Sequence, residues 1–378
     1  MSEAKPVGGK IITGPFLFFA ALAVIGVVII IKRYILGLGA VSNLSDGYPW
    51  GIWIAYDVVV GTAFACGGYS LALLVYIMNK GQYHPLVRPA LLASAFGYSM
   101  AGASIFVDIG RYWQAYNLFL PWYSQVNSVM LEVALCIALY VVVLWIEFSP
   151  TFMEWLKSKN LLKTTNRLMF IFIAIGVLLP TMHQSSLGSL MVISGKKLYP
   201  LWQTQMIPLL ALISAIAMGY AIVIFESVVS ATSLKREIEM PLLSKLSGLI
   251  PWIIGLYLIV RFSDLVFRGQ LGLAFHGDLK GNFFLLENIL FIIPLIILAS
   301  PAKRNSPKYL FYSAVSLLLA GALFRFDAFL IGFNPGPGWH YFPSFQETMI
   351  TVGIISIEIA AYMVFVKRLP VLPSTGHA

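Results

Sequence analysis

Asp108-Ile-Gly-Arg111-Tyr112-Trp113, a loop of aromatics around Pro121, and then Asn127-Ser128-Val-Met-Leu-Glu132-Val-Ala-Leu-Cys136 decide how this chain is read. The Asp and the Arg close one long apolar run, and the Glu sits about two turns inside the next. Runs of this length with so few charges read as membrane spans, and an ionisable group inside a span is costly enough to mark a function. Beyond this stretch, what matters is how many such runs exist and what their charges do.

Of the 378 residues, 59% are hydrophobic and only 11% charged, where a soluble domain carries about 25% charged residues. No water-soluble fold of this size covers so much apolar surface, so the fold class is an all-α, polytopic integral membrane protein forming a single membrane domain over residues 1–378. Cys66 and Cys136 fall inside apolar runs and are too few for a zinc or iron–sulfur framework; they read as small packing residues. The net charge of +9 comes from Lys and Arg in short loops between apolar runs. That pattern is a membrane-orientation signal and excludes nucleic acid as a partner. The first run continues into Lys32-Arg33-Tyr34 without a small-residue cleavage pattern, and reads as a retained span.

Ten runs are long enough to cross about 30 Å of hydrocarbon: Pro15 to Leu36, Trp50 to Met78, Leu86 to Asp108, Ser124 to Phe148, Arg167 to Gln184, Gln205 to Val229, Leu246 to Phe267, Gly281 to Ser300, Lys308 to Phe333 and Phe345 to Leu369. With ten spans both termini share one side. That side holds 16 of the 25 Lys and Arg, the other side seven, and Arg261 and Arg325 lie within spans. The termini are therefore expected in the cytoplasm. Lys32-Arg33, at the outer end of the first span, is an exception that charge alone does not explain. The outer loops are rich in Trp, Tyr, Gly and Pro, which suits an interfacial aromatic belt and equally a stiff platform for a docked protein.

Converting sequence position to depth at 1.5 Å per residue puts Asp57 about 10 Å and Glu132 about 12 Å below the outer ends of their spans. Asp108, Arg111, His183, Glu287 and Glu347 fall in the outer third, Glu358 is deeper, and Glu226 and Glu147 lie near the cytoplasmic ends. Such a distribution fits a pocket near the outer face for an amphipathic redox molecule, with carboxyls to exchange its protons, or else a proton-coupled transporter. The plainer account is structural pairing: Arg261 and Asp264, three apart on one helix, are expected to pair, whereas Arg325 and Asp327 do not face each other and Arg325 needs a partner on another helix. Glu132 has no basic neighbour at helical spacing. His183, after a break at Pro180, reads as a hydrogen-bonding group at a pocket mouth. A membrane b-type haem usually takes two histidines on facing spans. His84, His276 and His340 fall in loops and His377 in the tail, so the expectation is no haem, and no metal in the chain.

Several stretches together carry a specific resemblance: Gly8-Gly-Lys-Ile-Ile12, Tyr48-Pro-Trp-Gly-Ile-Trp53, Phe64-Ala-Cys-Gly-Gly68, Lys80 to Ser94, Asp108 to Trp113, Pro180-Thr-Met-His-Gln-Ser-Ser186 and Phe333-Asn-Pro-Gly336. Over nearly its full length the chain resembles the NrfD and polysulfide-reductase membrane-subunit family, in particular the membrane subunits of quinone-linked nickel–iron hydrogenases. The resemblance implies a quinone-reactive subunit in the bacterial inner membrane, with menaquinone as the expected quinone. Its partners would be a periplasmic ferredoxin-like Fe-S subunit, the hydrogenase small and large subunits, and membrane lipid. It also implies two four-helix bundles plus flanking helices, with residues 50–188 as the quinone-binding bundle and 205–333 as the second. On that pattern Asp57, Asp108, Arg111 and His183 line or orient the quinone headgroup. Glu132 is the proton relay, with Tyr98, Glu226 and Glu358 as further proton-carrying groups. The alternatives are the same scaffold serving another oxidoreductase, and the transporter.

Overall fold

A computed structural model of the chain describes residues 4–373; His377 lies outside them. Ten helices among the described residues are long and apolar enough to cross a membrane, and no strand forms among them. They are α1 (Gly14–Leu36), α2 (Trp53–Ile77), α3 (Gly81–Asp108), α4 (Val129–Trp155), α5 (Lys159–Lys197), α6 (Ile207–Ser233), α7 (Met240–Phe267), α8 (Leu279–Ala299), α9 (Pro307–Ile331) and α10 (Phe345–Arg368). In hydrocarbon only internally hydrogen-bonded helices are viable, which is why the apolar runs and the helices coincide so closely.

The fifth helix departs most from expectation. It begins at Lys159 rather than Arg167 and continues through Pro180 without a break, α-helical as far as Ser194. Proline removes one hydrogen bond and crowds one carbonyl, and packed neighbours offset that cost when the turns on either side are apolar. His183 is therefore in a helix interior and fully buried, not at a mouth. In contrast, α4 starts later than expected, at Val129, with the Ser128 hydroxyl accepting from the Leu131 N–H as its cap. Glu132 thus lies in the first turn, where a carboxylate is favoured by the helix dipole, and not two turns deep.

The chain forms two compact units. The first comprises the described residues of Met1–Thr62, Leu91–Leu179 and Pro335–Gly376. In it α1 and α10 run against each other over a glycine contact: a Cβ on Gly353 would stand 2.6 Å from the Gly26 Cα. Small residues let backbones approach this closely, and close approach is what joins helices in lipid. Phe96, Trp145, Phe148, Phe152 and Phe365 pack ring to ring in the same unit. Arg33 accounts for the exceptional basic pair. It is buried, with Nε donating to the Val107 carbonyl at 2.7 Å and Nη2 to the Ile109 carbonyl, so it closes the C-terminal end of α3. Lys32 donates to the Gln346 side chain at 3.0 Å.

The second unit comprises Ala63–Ala90 and Pro180–Asn334. Here α6, α7, α8 and α9 close a ring in which each packs on two neighbours. Ser70 and the Cys66 carbonyl fit against Gly219 of α6, where a Cβ would meet the Ser70 hydroxyl oxygen at 2.0 Å. A single antiparallel bridge joins Leu198 to Phe333 at one end of the unit. Arg325 does draw its partners from other helices: the Gln184 side chain at 3.2 Å, the Ala211 carbonyl at 3.0 Å and the Ser214 hydroxyl at 3.1 Å.

Candidate functional site

In the first unit, the start of α2 is wound as a π-helix over Trp53–Val58. Single π turns inside helices frequently mark functional sites, because they offset the side-chain register and loosen the backbone ladder. Asp57 sits in this turn, buried at 7% exposure. Its Oδ2 accepts from the Ser104 hydroxyl of α3 and the Thr351 hydroxyl of α10, each at 3.1 Å, while its Oδ1 is buried without a hydrogen-bond partner. Asp108 ends α3, and its Oδ1 is likewise buried and unpartnered. The two carboxyls lie within electrostatic reach of each other.

A third carboxyl group frames this pair. Glu347, fully buried at the start of α10, accepts from the Asn43 N–H at 3.0 Å, the Ser344 N–H at 2.7 Å and the Tyr341 hydroxyl at 2.7 Å. Ser344 returns the contact by accepting from the Glu347 N–H, a capping box that starts the helix. The Tyr341 hydroxyl also accepts from the Ile52 N–H at 2.8 Å, and Trp53 Nε1 donates to the Glu347 carbonyl at 3.3 Å. The loop before α10 thus locks onto the π turn that carries Asp57. Burial first, and then the hydrogen bond to Glu347, push the Tyr341 phenol above its ordinary value. Tyr56, next to Asp57, is within electrostatic reach of both Asp57 and Glu358.

The structure brings some of the expected site residues together and leaves others apart. Asp57 and Asp108 share the cluster. Arg111 does not join it: the residue is exposed and opens a 3-10 turn over Tyr112–Phe119. The cation beside Asp108 is Arg33. Glu132 is half-buried one turn before Cys136, and Glu358 is half-buried on α10. Tyr98 is buried with its ring edge-on to Tyr140, centroids 4.5 Å apart. His183 and Glu226 belong to the second unit. Sequence reasoning missed Ser104, Thr351, Tyr56 and Tyr341, because hydroxyl residues are common in spans and nothing in the one-dimensional pattern marks which of them face a carboxylate. The capping box Ser344-x-x-Glu347 was the available signal for the last helix. The expected pairing of Arg261 with Asp264 does not occur. Asp264 instead takes Arg268, one turn on, at 2.7 Å, and also accepts from Thr204, because Arg261 turns inward to Glu287.

The family model described as "Polysulphide reductase, NrfD" matches residues 40–333. The Ni/Fe-hydrogenase 2 b-type cytochrome subunit of Escherichia coli strain K12, so named as probable, is 47% identical over 98% of this chain and 95% of its own length. The menaquinone reductase integral membrane subunit of Nitratidesulfovibrio vulgaris is 28% identical, over 90% of this chain and 87% of its own. A selenate reductase subunit of Mesobacillus selenatarsenatis is 23% identical over 94% of each.

The first of these names overturns the expectation of a haem-free chain, since a b-type cytochrome is a haem protein. Haem iron is also held by Met with His, by Cys thiolate or by Tyr, so a count of paired histidines does not exclude it. The described residues do not form a bis-histidine pocket, because His183 is buried in a span whereas His84, His276 and His340 are exposed. Among the described residues, no three His, Cys, Asp or Glu converge as a metal site. With the family model covering most of its length, the chain belongs to the polysulphide reductase, NrfD family.

Proposed function

We propose that this chain is the quinone-reactive membrane subunit of a hydrogenase complex, passing electrons between a ferredoxin-like Fe-S subunit on the periplasmic side and menaquinone in the bacterial inner membrane. The observation that carries the reading is the pair Asp57 and Asp108: a buried and a half-buried carboxyl in one cluster, each with one buried oxygen that nothing in the protein satisfies. A buried polar atom left without a partner is costly, so such atoms commonly await a ligand or a water. A quinol hydroxyl is a donor that satisfies a carboxylate oxygen, and a protonated carboxyl donates to a quinone carbonyl. The names of the two relatives, a hydrogenase subunit and a menaquinone reductase subunit, point the same way.

In this reading, reduction of one quinone consumes two electrons and two protons. The electrons arrive one at a time from the Fe-S partner; the protons pass from Asp57 and Asp108 to the two quinone oxygens. Ser104 and Thr351 hold Asp57 in position by donating to its other oxygen. Tyr56, within electrostatic reach of both Asp57 and Glu358, is assigned to resupply Asp57, and Glu132 and Tyr98 stand as further relay groups. We place the quinone beside Asp57 and Asp108 in the first unit, with Arg111 as an exposed outer contact, 205–333 as a second bundle, both termini in the cytoplasm, and the hydrogenase small and large subunits beyond the Fe-S protein.

The test is hydrogen-dependent reduction of a menaquinone analogue by the purified complex, beside reduction of a dye that takes electrons upstream of this chain. Asp57→Asn and Asp108→Asn are expected to lower quinone reduction by about 10²- to 10⁴-fold, the usual contribution of a positioned acid or base, with dye reduction intact. Glu132→Gln is expected to act in the same direction. Full quinone activity in both Asp variants refutes the assignment. The selenate reductase relative supports a second reading, the same scaffold serving another oxidoreductase; nickel in the purified complex separates the two. A proton-coupled transporter would purify without an Fe-S protein. A haemochrome assay on the same preparation measures whether haem is bound.

A further inference from the structure

The second unit buries its own polar cluster, which the quinone reading does not use. Arg261 of α7, Glu287 of α8 and Asp327 of α9 all have 0% exposure. Glu287 lies about 12 Å along α8 from its first residue. Its Oε2 accepts from Trp202 Nε1 at 2.9 Å and its Oε1 from the Tyr257 hydroxyl at 3.3 Å. Arg261 stands 3.8 Å from the same Oε1, close enough to pair by charge but beyond hydrogen-bond length. None of the three Arg261 nitrogens has an acceptor, and the guanidinium is held over the faces of Phe284 and Phe324 at 5.2 and 5.5 Å.

Asp327 is the telling group. Neither of its oxygens receives an N–H or O–H donor from the rest of the protein, while the turn it opens packs on α8 and its carboxyl lies within electrostatic reach of the Glu287 carboxyl and the Arg261 guanidinium. Two carboxylates buried beside a single cation repel each other in a low dielectric, and a proton on one of them relieves that repulsion. Asp327 also opens a π-helical turn, Asp327–Ile331, as Asp57 lies within one in the first unit. Both units therefore present a buried carboxyl at the same local device. Tyr257 and Arg325 also face the cluster. Arg325 directs its guanidinium to Gln184, Ser214, Met218 and the carbonyls of Ala211 and Gly321, leaving Arg261 as the cation of the pair.

We propose that Glu287 and Asp327 form a second proton-holding site, a carboxyl pair that shares one exchangeable proton beside Arg261. With the proton in place the three groups sum to zero charge; releasing it leaves one net negative charge in the interior of the unit. The low dielectric makes that release costly unless a cation or a second proton arrives, which is the behaviour of a loading site rather than a fixed ion pair. The proposal stands independently of the quinone assignment.

Infrared spectroscopy on the purified full-length chain in lipid nanodiscs tests it. A protonated carboxyl gives a carbonyl band distinct from carboxylate, and that band shifts when the proton is replaced by deuterium. In H2O and then D2O at neutral pH, the wild type is expected to show such a band, and Asp327→Asn is expected to lose one carboxyl equivalent of it. Glu287→Gln is expected to lose the same band, since the remaining Asp327 then pairs with Arg261 as a carboxylate. If Asp327→Asn does not fold, Glu287→Gln carries the test. A wild type without any deuterium-sensitive acid band, or a band unchanged in both variants, overturns the proposal. Quinone reduction is not part of this readout, so failure of the quinone assignment leaves it untouched.

Discussion

Replacing Arg33 by Leu separates a structural role from a topological one. Arg33 is buried in the first unit and donates to the carbonyls of Val107 and Ile109, with the rings of Tyr34 and Tyr112 at 4.7 and 5.3 Å from its guanidinium. Leucine fills the space of the stem but leaves two carbonyls at the end of α3 unpaired. At about 1–3 kcal/mol for each buried acceptor, the loss is about 2–6 kcal/mol before cation–π terms are added. The residue also stands on the side of the membrane where basic residues are scarce. A purely topological effect of its removal would therefore strengthen insertion rather than weaken the fold. The assay is unfolding of the purified chain in mild detergent under titrated denaturant. Arg33→Leu is expected to lower stability by that amount, and Arg33→Lys to recover only part, because an ammonium is a point donor and does not span two carbonyls as a guanidinium fork does. An unchanged midpoint in Arg33→Leu refutes the assignment of Arg33 as the closure of α3.

Gly353→Ala places a Cβ 2.6 Å from the Gly26 backbone, where only backbone movement relieves the clash, and is expected to cost about 1–3 kcal/mol in the same unfolding assay. Glu347→Gln substitutes an amide for a carboxylate whose Oε2 accepts from two backbone N–H groups; a loss of about 1–3 kcal/mol is expected, with quinone reduction lowered more than dye reduction. The raised phenol of Tyr341 makes an alkaline prediction. The folded state holds this proton more tightly than the unfolded state, so stability is full below the ordinary tyrosine value near 10 and falls as pH rises above it. Tyr341→Phe is expected to flatten that alkaline limb in a pH series of unfolding midpoints, at the cost of lower stability at neutral pH from the lost hydrogen bond to Glu347.

How much of this was legible beforehand follows from the physics of each feature. Ten spans follow from hydropathy, because hydrocarbon admits only helices and penalises every polar residue within them. Asp57 and Asp108 could be singled out for the same reason, as carboxyls in or at the end of apolar runs. The family followed from motifs spread over the whole length. The helix through Pro180 was not legible, since proline's local preference gave way to packing against neighbours. Nor was the late start of α4, where the Ser128 cap set the boundary and moved Glu132 into a first turn. Arg33 looked like a breach of the charge rule until the carbonyls of Val107 and Ile109 were seen around it.

Residue order is enough to say that this chain lives in a membrane, how many times it crosses, and which few carboxyls it holds there against their desolvation. Helix packing selects which of those carboxyls meet which partners: Asp57 with Ser104 and Thr351, contributed by three different segments, and Glu287 with Asp327 and Arg261 from three helices of the other unit. A span's cost is a sum over its own residues and is readable along one dimension. A buried carboxyl's function depends on which donors face it across helices, and that is set only when the helices pack.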